Sequence, residues 1–184
     1  MLFFIGRLVT VKGADKLVEA MPKVISEFPK TKLVLLGIGE KEITIKNRIK
    51  ELGLEDNIIL NANFVDERER ILHYAACDVV ILPSLYEPFG IVSTEAMSMS
   101  KPVVVGARGT SGFREQIVSS GSDQCGVHIN PFDPSDIAWG IKQILSLNDK
   151  GVQMGRNGRM RAIELFSWDA VAKRTIDIYK EFVK

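Results

Sequence analysis

Cysteine and histidine are nearly missing from this chain, with two of each among 184 residues. Cys77 and Cys125 each adjoin an apolar run, so they read as reduced core residues rather than a disulfide framework. His73 and His128 stand alone, without the cluster that a zinc site requires. No Asp-x-Asp pair occurs, which argues against a divalent cation holding phosphates. Neither sign of charge dominates, with 24 Lys and Arg against 23 Asp and Glu, so the basic footprint of a nucleic-acid binder is absent. No apolar run is long enough to span a bilayer, and the amino terminus lacks the basic, apolar and cleavage-site order of a signal peptide. The expectation is a cytoplasmic protein with no nucleic-acid partner and no membrane insertion.

Several nucleotide and hydrolase signatures are also missing. Gly37-Ile38-Gly39-Glu40 is half a dinucleotide fingerprint, without the third glycine and after the second strand, so it reads as a turn touching a nucleotide. The loop Gly106-Ala107-Arg108-Gly109-Thr110-Ser111-Gly112 lacks the Gly-Lys-Ser/Thr ending of a P-loop. The first strand is followed by Gly6-Arg7-Leu8 rather than a glycine fingerprint, which disfavours a NAD-type dehydrogenase. A hydrolase built on Ser84, His73 and Asp78 would want a Gly-x-Ser-x-Gly elbow, and there is none.

What is present is a regular alternation of apolar runs and amphipathic stretches. Strands are predicted at Leu2–Ile5, Lys32–Leu36, Ile58–Leu60, Val79–Leu82, Pro102–Val105 and Gly126–Ile129. Helices are predicted between them at Ala14–Phe28, Glu40–Leu52, Arg68–Ala76, Ile91–Met99 and Phe113–Ser119. Alternation of this kind gives an α/β fold, a Rossmann-like doubly wound parallel sheet of about six strands. Consecutive helices follow as a C-terminal helical tail, at Ser135–Leu147, Lys150–Leu165 and Trp168–Phe182, with Ser167 as an N-cap. Residues 1–184 read as a single domain. Met1 runs at once into an apolar strand, and the last helix has more apolar surface than one stripe needs. Both features suggest a piece of a longer protein, with that helix packing on a domain that is absent here.

Two segments carry candidate chemistry. In Glu87-Pro88-Phe89-Gly90-Ile91-Val92-Ser93-Thr94-Glu95, one acid ends the loop after the fourth strand and the other rides the following helix, about two turns along. A helix start at Gly90 offers free N–H groups and roughly half a positive charge, which suits a phosphate, and Gly90 lets a ligand approach the backbone. A carboxylate beside a phosphate must serve another part of the ligand. Sugars supply hydroxyl pairs, so Glu87 fits a sugar and Glu95 a second polyol such as ribose. After the first strand, Arg7 offers a bidentate phosphate contact and Lys12 a flexible point charge, together suited to a diphosphate. The first and fourth strands of a doubly wound sheet adjoin, so both loops meet at the switch point.

These residues resemble a known family. Gly6-Arg7-Leu8 with Lys12-Gly13, then Pro83 to Gly90 with Glu95-Ala96-Met97, and finally Phe166-Ser167-Trp168, look like the C-terminal domain of retaining GT-B glycosyltransferases. The resemblance covers essentially the whole chain. Thr110-Ser111-Gly112-Phe113 is similar to the Thr-Gly-Gly-Leu turn of glycogen and starch synthases, with Ser111 in place of a glycine. Ser100-Lys101 replaces the usual Gly-Thr before Pro102.

The resemblance implies transfer of a sugar, glucose by the glycogen synthase likeness, from an NDP-sugar such as ADP-glucose or UDP-glucose to a glucan acceptor. Arg7 and Lys12 would bind the diphosphate, Glu87 the sugar and Glu95 the ribose. Phe89, Gly90 and the backbone N–H groups of Ile91 and Val92 would line the distal phosphate. The base would lie near Gly37 and the loop 61–65. The family needs no metal and no cofactor, and its acceptor site lies in an N-terminal domain, so this chain alone is expected to be inactive. A non-catalytic nucleotide-binding module, or a related enzyme with another sugar and acceptor, is the alternative.

Overall fold

A computed structural model describes residues 1–147, 149 and 151–182. Six parallel strands form one sheet: β1 (Leu2–Ile5), β2 (Leu33–Leu36), β3 (Ile58–Asn61), β4 (Val79–Leu82), β5 (Val103–Gly106) and β6 (Gly126–Ile129). Their order is β3-β2-β1-β4-β5-β6, so the chain reverses direction across the sheet between β1 and β4, as expected. Leu2 pairs with Leu33 on one side and with Val79 on the other.

Side chains alternate across the strands and build two cores. Leu2, Phe4, Leu33, Leu35, Val79 and Ile81 face α1 (Ala14–Ile25), α2 (Glu42–Glu51) and α6 (Pro134–Leu145). Phe3, Val34, Leu36, Val80 and Leu82 face the other way, with α3 (Glu67–Ala76), α4 (Ile91–Ser98) and α5 (Phe113–Gln116). Burying each such side chain stabilises the fold by about 1.5–3 kcal/mol. Leu17, Val18, Met21 and Val24 turn one stripe of α1 inward, at helical spacing.

Helix starts are chemically marked. Asp66 accepts from the Glu69 N–H at 2.8 Å to cap α3, and Asp133 accepts from the Ser135 N–H at 2.8 Å, with Pro134 opening α6. Most predicted helices run past their true ends by one to three residues. The predicted helix 150–165 begins at Lys150, outside the described residues, and divides. Regular α7 spans Val152–Arg161, and a wide π turn, Ala162–Phe166, follows it. The final helix, α8 (Trp168–Phe182), receives its cap from Ser167, whose Oγ accepts from the Ala170 N–H at 3.2 Å. No residue of α8 is buried.

The pair Ser100-Lys101 has a structural role. Ser100 sits at φ +57°, the left-handed region that glycine enters freely. Lys101 Nζ donates to Ala75 O at 2.9 Å and Cys77 O at 2.8 Å, closing the carboxyl end of α3. Cys77 and Cys125 are both buried, free thiols. Burial raises the Cys77 thiol to about 11, so it stays protonated and unreactive at neutral pH.

Candidate functional site

The carboxyl ends of β1 and β4 deliver two loops to one place. After β1 the chain makes a short 3-10 turn, Thr10–Lys12, and enters α1 through Gly13 at φ +69°. A Cβ on Gly13 would lie 2.2 Å from Pro83 O, so only glycine lets this loop seat on the loop after β4. The Leu85 N–H donates to Val11 O at 2.8 Å and fastens the two backbones. Lys12 therefore reaches Glu87, and the two form an ion pair.

Glu87 is 7 % exposed, the most unusual burial for an acid among the predicted site residues. Ser84 Oγ lies 3.4 Å from the same carboxylate oxygen that Lys12 holds. From behind, the Gly112 N–H donates to Glu87 O at 2.8 Å. The glycine-rich loop 106–112 thus buttresses the Glu87 loop, and its Ser111 hydroxyl donates to Gly106 O at 2.9 Å.

Gly90 precedes α4 at φ +86°. It lines the same hollow as Glu87, and its lack of a side chain also serves the core. A Cβ there would lie 2.3 Å from the Phe113 ring and 3.0 Å from Glu87 Cγ, so the missing side chain makes room for the protein's own core. Ser93 Oγ donates to Gly90 O at 2.8 Å and holds this bend in place. Gly37 is fitted in the same way. Its Cβ would fall 1.8 Å from Gly6 O, so the Gly37 turn is shaped by the first loop crossing it.

Lys12, Glu87, Phe89, Gly90, Ile91, Val92 and Glu95 line one open hollow of about 650 Å³. Arg7 does not line it. It stands in an adjoining hollow of about 410 Å³ with Gly37, Ile38, Asn63, Phe64 and Val65. Ile5 and Arg70 line both, so the two hollows meet along a seam. The two predicted cations thus sit in neighbouring compartments of the switch-point rim. Phe89 leans edge-on against Phe166 of the π turn, with ring centres 5.9 Å apart.

Glu95 lies five residues past Gly90, little more than one helical turn rather than two. Its Oε2 accepts from the Tyr74 hydroxyl at 2.9 Å, and its Oε1 is 3.4 Å from an Arg70 guanidinium nitrogen. Neither α3 residue was singled out from the sequence. The signal was their i, i+4 spacing, which places them on one helix face, but the sequence does not say which face meets Glu95.

The residues of the hydrolase reading are scattered. Asp78 precedes β4 and Ser84 follows it, so the strand separates them, while the His73 ring stacks on Phe3 at 5.3 Å. Among the described residues, no group of three or more His, Cys, Asp or Glu is placed to hold a metal ion. No helix among them is long and apolar enough to cross a membrane.

Known proteins resemble this chain in sequence and in fold. An uncharacterized glycosyltransferase of Methanocaldococcus jannaschii is 37 % identical over 98 % of this chain and 44 % of its own length. Mannosylfructose-phosphate synthase of Agrobacterium fabrum is 32 % identical over 94 % of this chain and 38 % of its own. A glycogen synthase of Mycobacterium tuberculosis is 28 % identical, over 97 % and 42 %.

Among solved structures, sucrose-phosphate synthase from Thermosynechococcus elongatus has a TM-score of 0.83 at 28 % identity, covering 99 % of this chain and 45 % of that one. Anabaena HepE in complex with UDP has a TM-score of 0.82 at 25 % identity, covering 98 % and 48 %. The chain spans less than half the length of these relatives.

Glycogen synthases are thus one group among relatives with different sugars and acceptors, and the likeness is not specific to them. Residues 1–161 match the family described as glycosyl transferases group 1, and the chain belongs to that family, as a GT-B C-terminal domain.

Proposed function

We propose that this chain is the donor-binding half of a retaining glycosyltransferase, taking a hexose from a nucleoside diphosphate to an acceptor held by another domain. The observation that carries the reading is the meeting of Lys12, Glu87 and the Gly90 helix start in one hollow at the switch point.

Breaking the sugar–phosphate bond builds negative charge on the departing diphosphate. Lys12, the Ile91 and Val92 N–H groups and, from the adjoining hollow, Arg7 are the groups that would meet it. One well-aimed donor of this kind is worth about 3–4 kcal/mol elsewhere. Glu87 would accept from the sugar's hydroxyls and favour positive charge at the anomeric carbon. Its pairing with Lys12 keeps both groups aligned before the donor arrives. Glu95 would take the ribose, and the base would occupy the hollow of Gly37 and Phe64. That a structural relative holds UDP supports this reading.

Glucose, carried on ADP or UDP and passed to a glucan, is the narrower form of the proposal. It rests on the turn Thr110-Ser111-Gly112-Phe113 and on a glycogen synthase among the relatives. The last helix, α8, would pack on the acceptor domain in the longer protein, and this chain alone would not transfer sugar.

Titration calorimetry with ADP, UDP and their glucose conjugates tests the reading. Wild type should bind, and Arg7→Ala with Lys12→Ala should abolish binding. No binding by wild type, or undiminished binding by the double variant, would overturn it. In the longer protein, Glu87→Gln should slow sugar transfer at least about 100-fold, and wild-type speed would remove Glu87 from the chemistry.

A further inference from the structure

Helix α3 has no part in the reading above, yet Tyr74 and Arg70 on it meet both oxygens of the Glu95 carboxylate. Tyr74 is 2 % exposed, and its hydroxyl donates to Glu95 Oε2 at 2.9 Å. Burial, reinforced by the neighbouring Glu95 charge, pushes the phenol far above its usual range. The hydroxyl therefore stays protonated, and able to donate, at neutral pH. Arg70 approaches the other carboxylate oxygen at 3.4 Å and stands at the seam between the two hollows.

An ionised carboxylate has about four acceptor directions, so one partner on each oxygen leaves each oxygen free to accept once more. Two acceptors a carboxylate's width apart match the paired hydroxyls of a vicinal diol. A Glu95 free to rotate would spend that match on side-chain entropy. We propose that Tyr74 and Arg70 are positioning residues that hold Glu95 in the orientation that reads a ribose 2′,3′-diol, and so make the site select ribonucleotides over deoxyribonucleotides. The inference rests on the nucleotide-donor reading and deepens it.

The test is titration calorimetry of the chain with UDP and ADP, each beside its 2′,3′-dideoxy counterpart. Wild type should prefer the ribose forms. Tyr74→Phe keeps the ring in the core and removes only the hydroxyl. It should weaken the ribose forms by about 5- to 10-fold, the scale of one hydrogen bond, and leave the dideoxy forms unchanged. Arg70→Gln, at a half-exposed position that does not threaten folding, should narrow the preference in the same direction.

Equal losses on ribose and dideoxy ligands, or no loss on either, would mark both residues as structural and overturn the inference. A wild type that binds the diphosphates without preferring ribose would sink this inference alone. A wild type that binds none of the four would sink the donor reading together with it.

Discussion

The two hollows at the switch point both rest on closely fitted turns, yet they are finished differently. Around Lys12 and Glu87 the loops interlock: Gly13 against the Pro83 carbonyl, the Gly112 N–H on Glu87 O, and Gly90 against the Phe113 ring. Around Arg7 the Gly37 turn also fits closely on Gly6, but the side chains that complete the wall stand out in solvent, with Phe64 85 % exposed and Ile38 about half exposed. One compartment holds a buried acid already paired with its cation, and the other is completed by surface side chains. The difference matches what each would hold under the proposed function. Diphosphate and reacting sugar need groups held to within tenths of an ångström, whereas a base needs only a surface to rest on.

Substitutions can break that contrast. Gly90→Ala should be the most damaging, because it combines a positive φ with a contact inside the Phe113 ring, costing about 2–4 kcal/mol. A thermal melt would register this, and an unchanged melting temperature would mean that the bend is not fixed as described. Lys12→Ala should cost about 1–3 kcal/mol, since it leaves the nearly buried Glu87 carboxylate with Ser84 alone. Denaturant titration of Lys12→Ala, Glu87→Gln and the double variant should show strong coupling between the two.

Ser100→Gly, away from both hollows, should add about 0.5–1 kcal/mol by releasing left-handed strain, with no change in nucleotide binding. Arg7→Ala and Phe64→Ala should move stability by less than about 0.5 kcal/mol while weakening nucleotide affinity. A large stability loss from either would erase the contrast.

Much of this was legible in the sequence, for physical reasons. Strands of a parallel sheet are buried on both faces and appear as unbroken apolar runs, so Val79–Leu82 and Gly126–Ile129 were found to the residue. Helix ends were harder. Phe28 continues the apolar spacing of α1, although the helix stops at Ile25, and nothing in the apolar spacing announces the π turn after Arg161. The Lys12 and Glu87 meeting followed from topology alone, since loops after adjoining strands must converge.

Loop-to-loop fit was not legible. Gly90 read as a place for a ligand to approach and Gly37 as a turn touching a nucleotide; both line their hollows, but the neighbouring chain that fills the side each leaves bare was not announced. Arg7 and Lys12 read as one pair, but five residues of loop place them in separate compartments. Tyr74 was invisible as a site residue because an apolar helix face and a hydroxyl aimed at Glu95 share the same letter.

The bare surface of α8 has a practical consequence. Trp168 is 88 % exposed, so its indole should emit at the long wavelength of a hydrated tryptophan. Anything that comes to lie over this helix would shift that emission to shorter wavelength. With Trp139→Phe silencing the other indole, the chain carries its own optical gauge of whether its tail is covered.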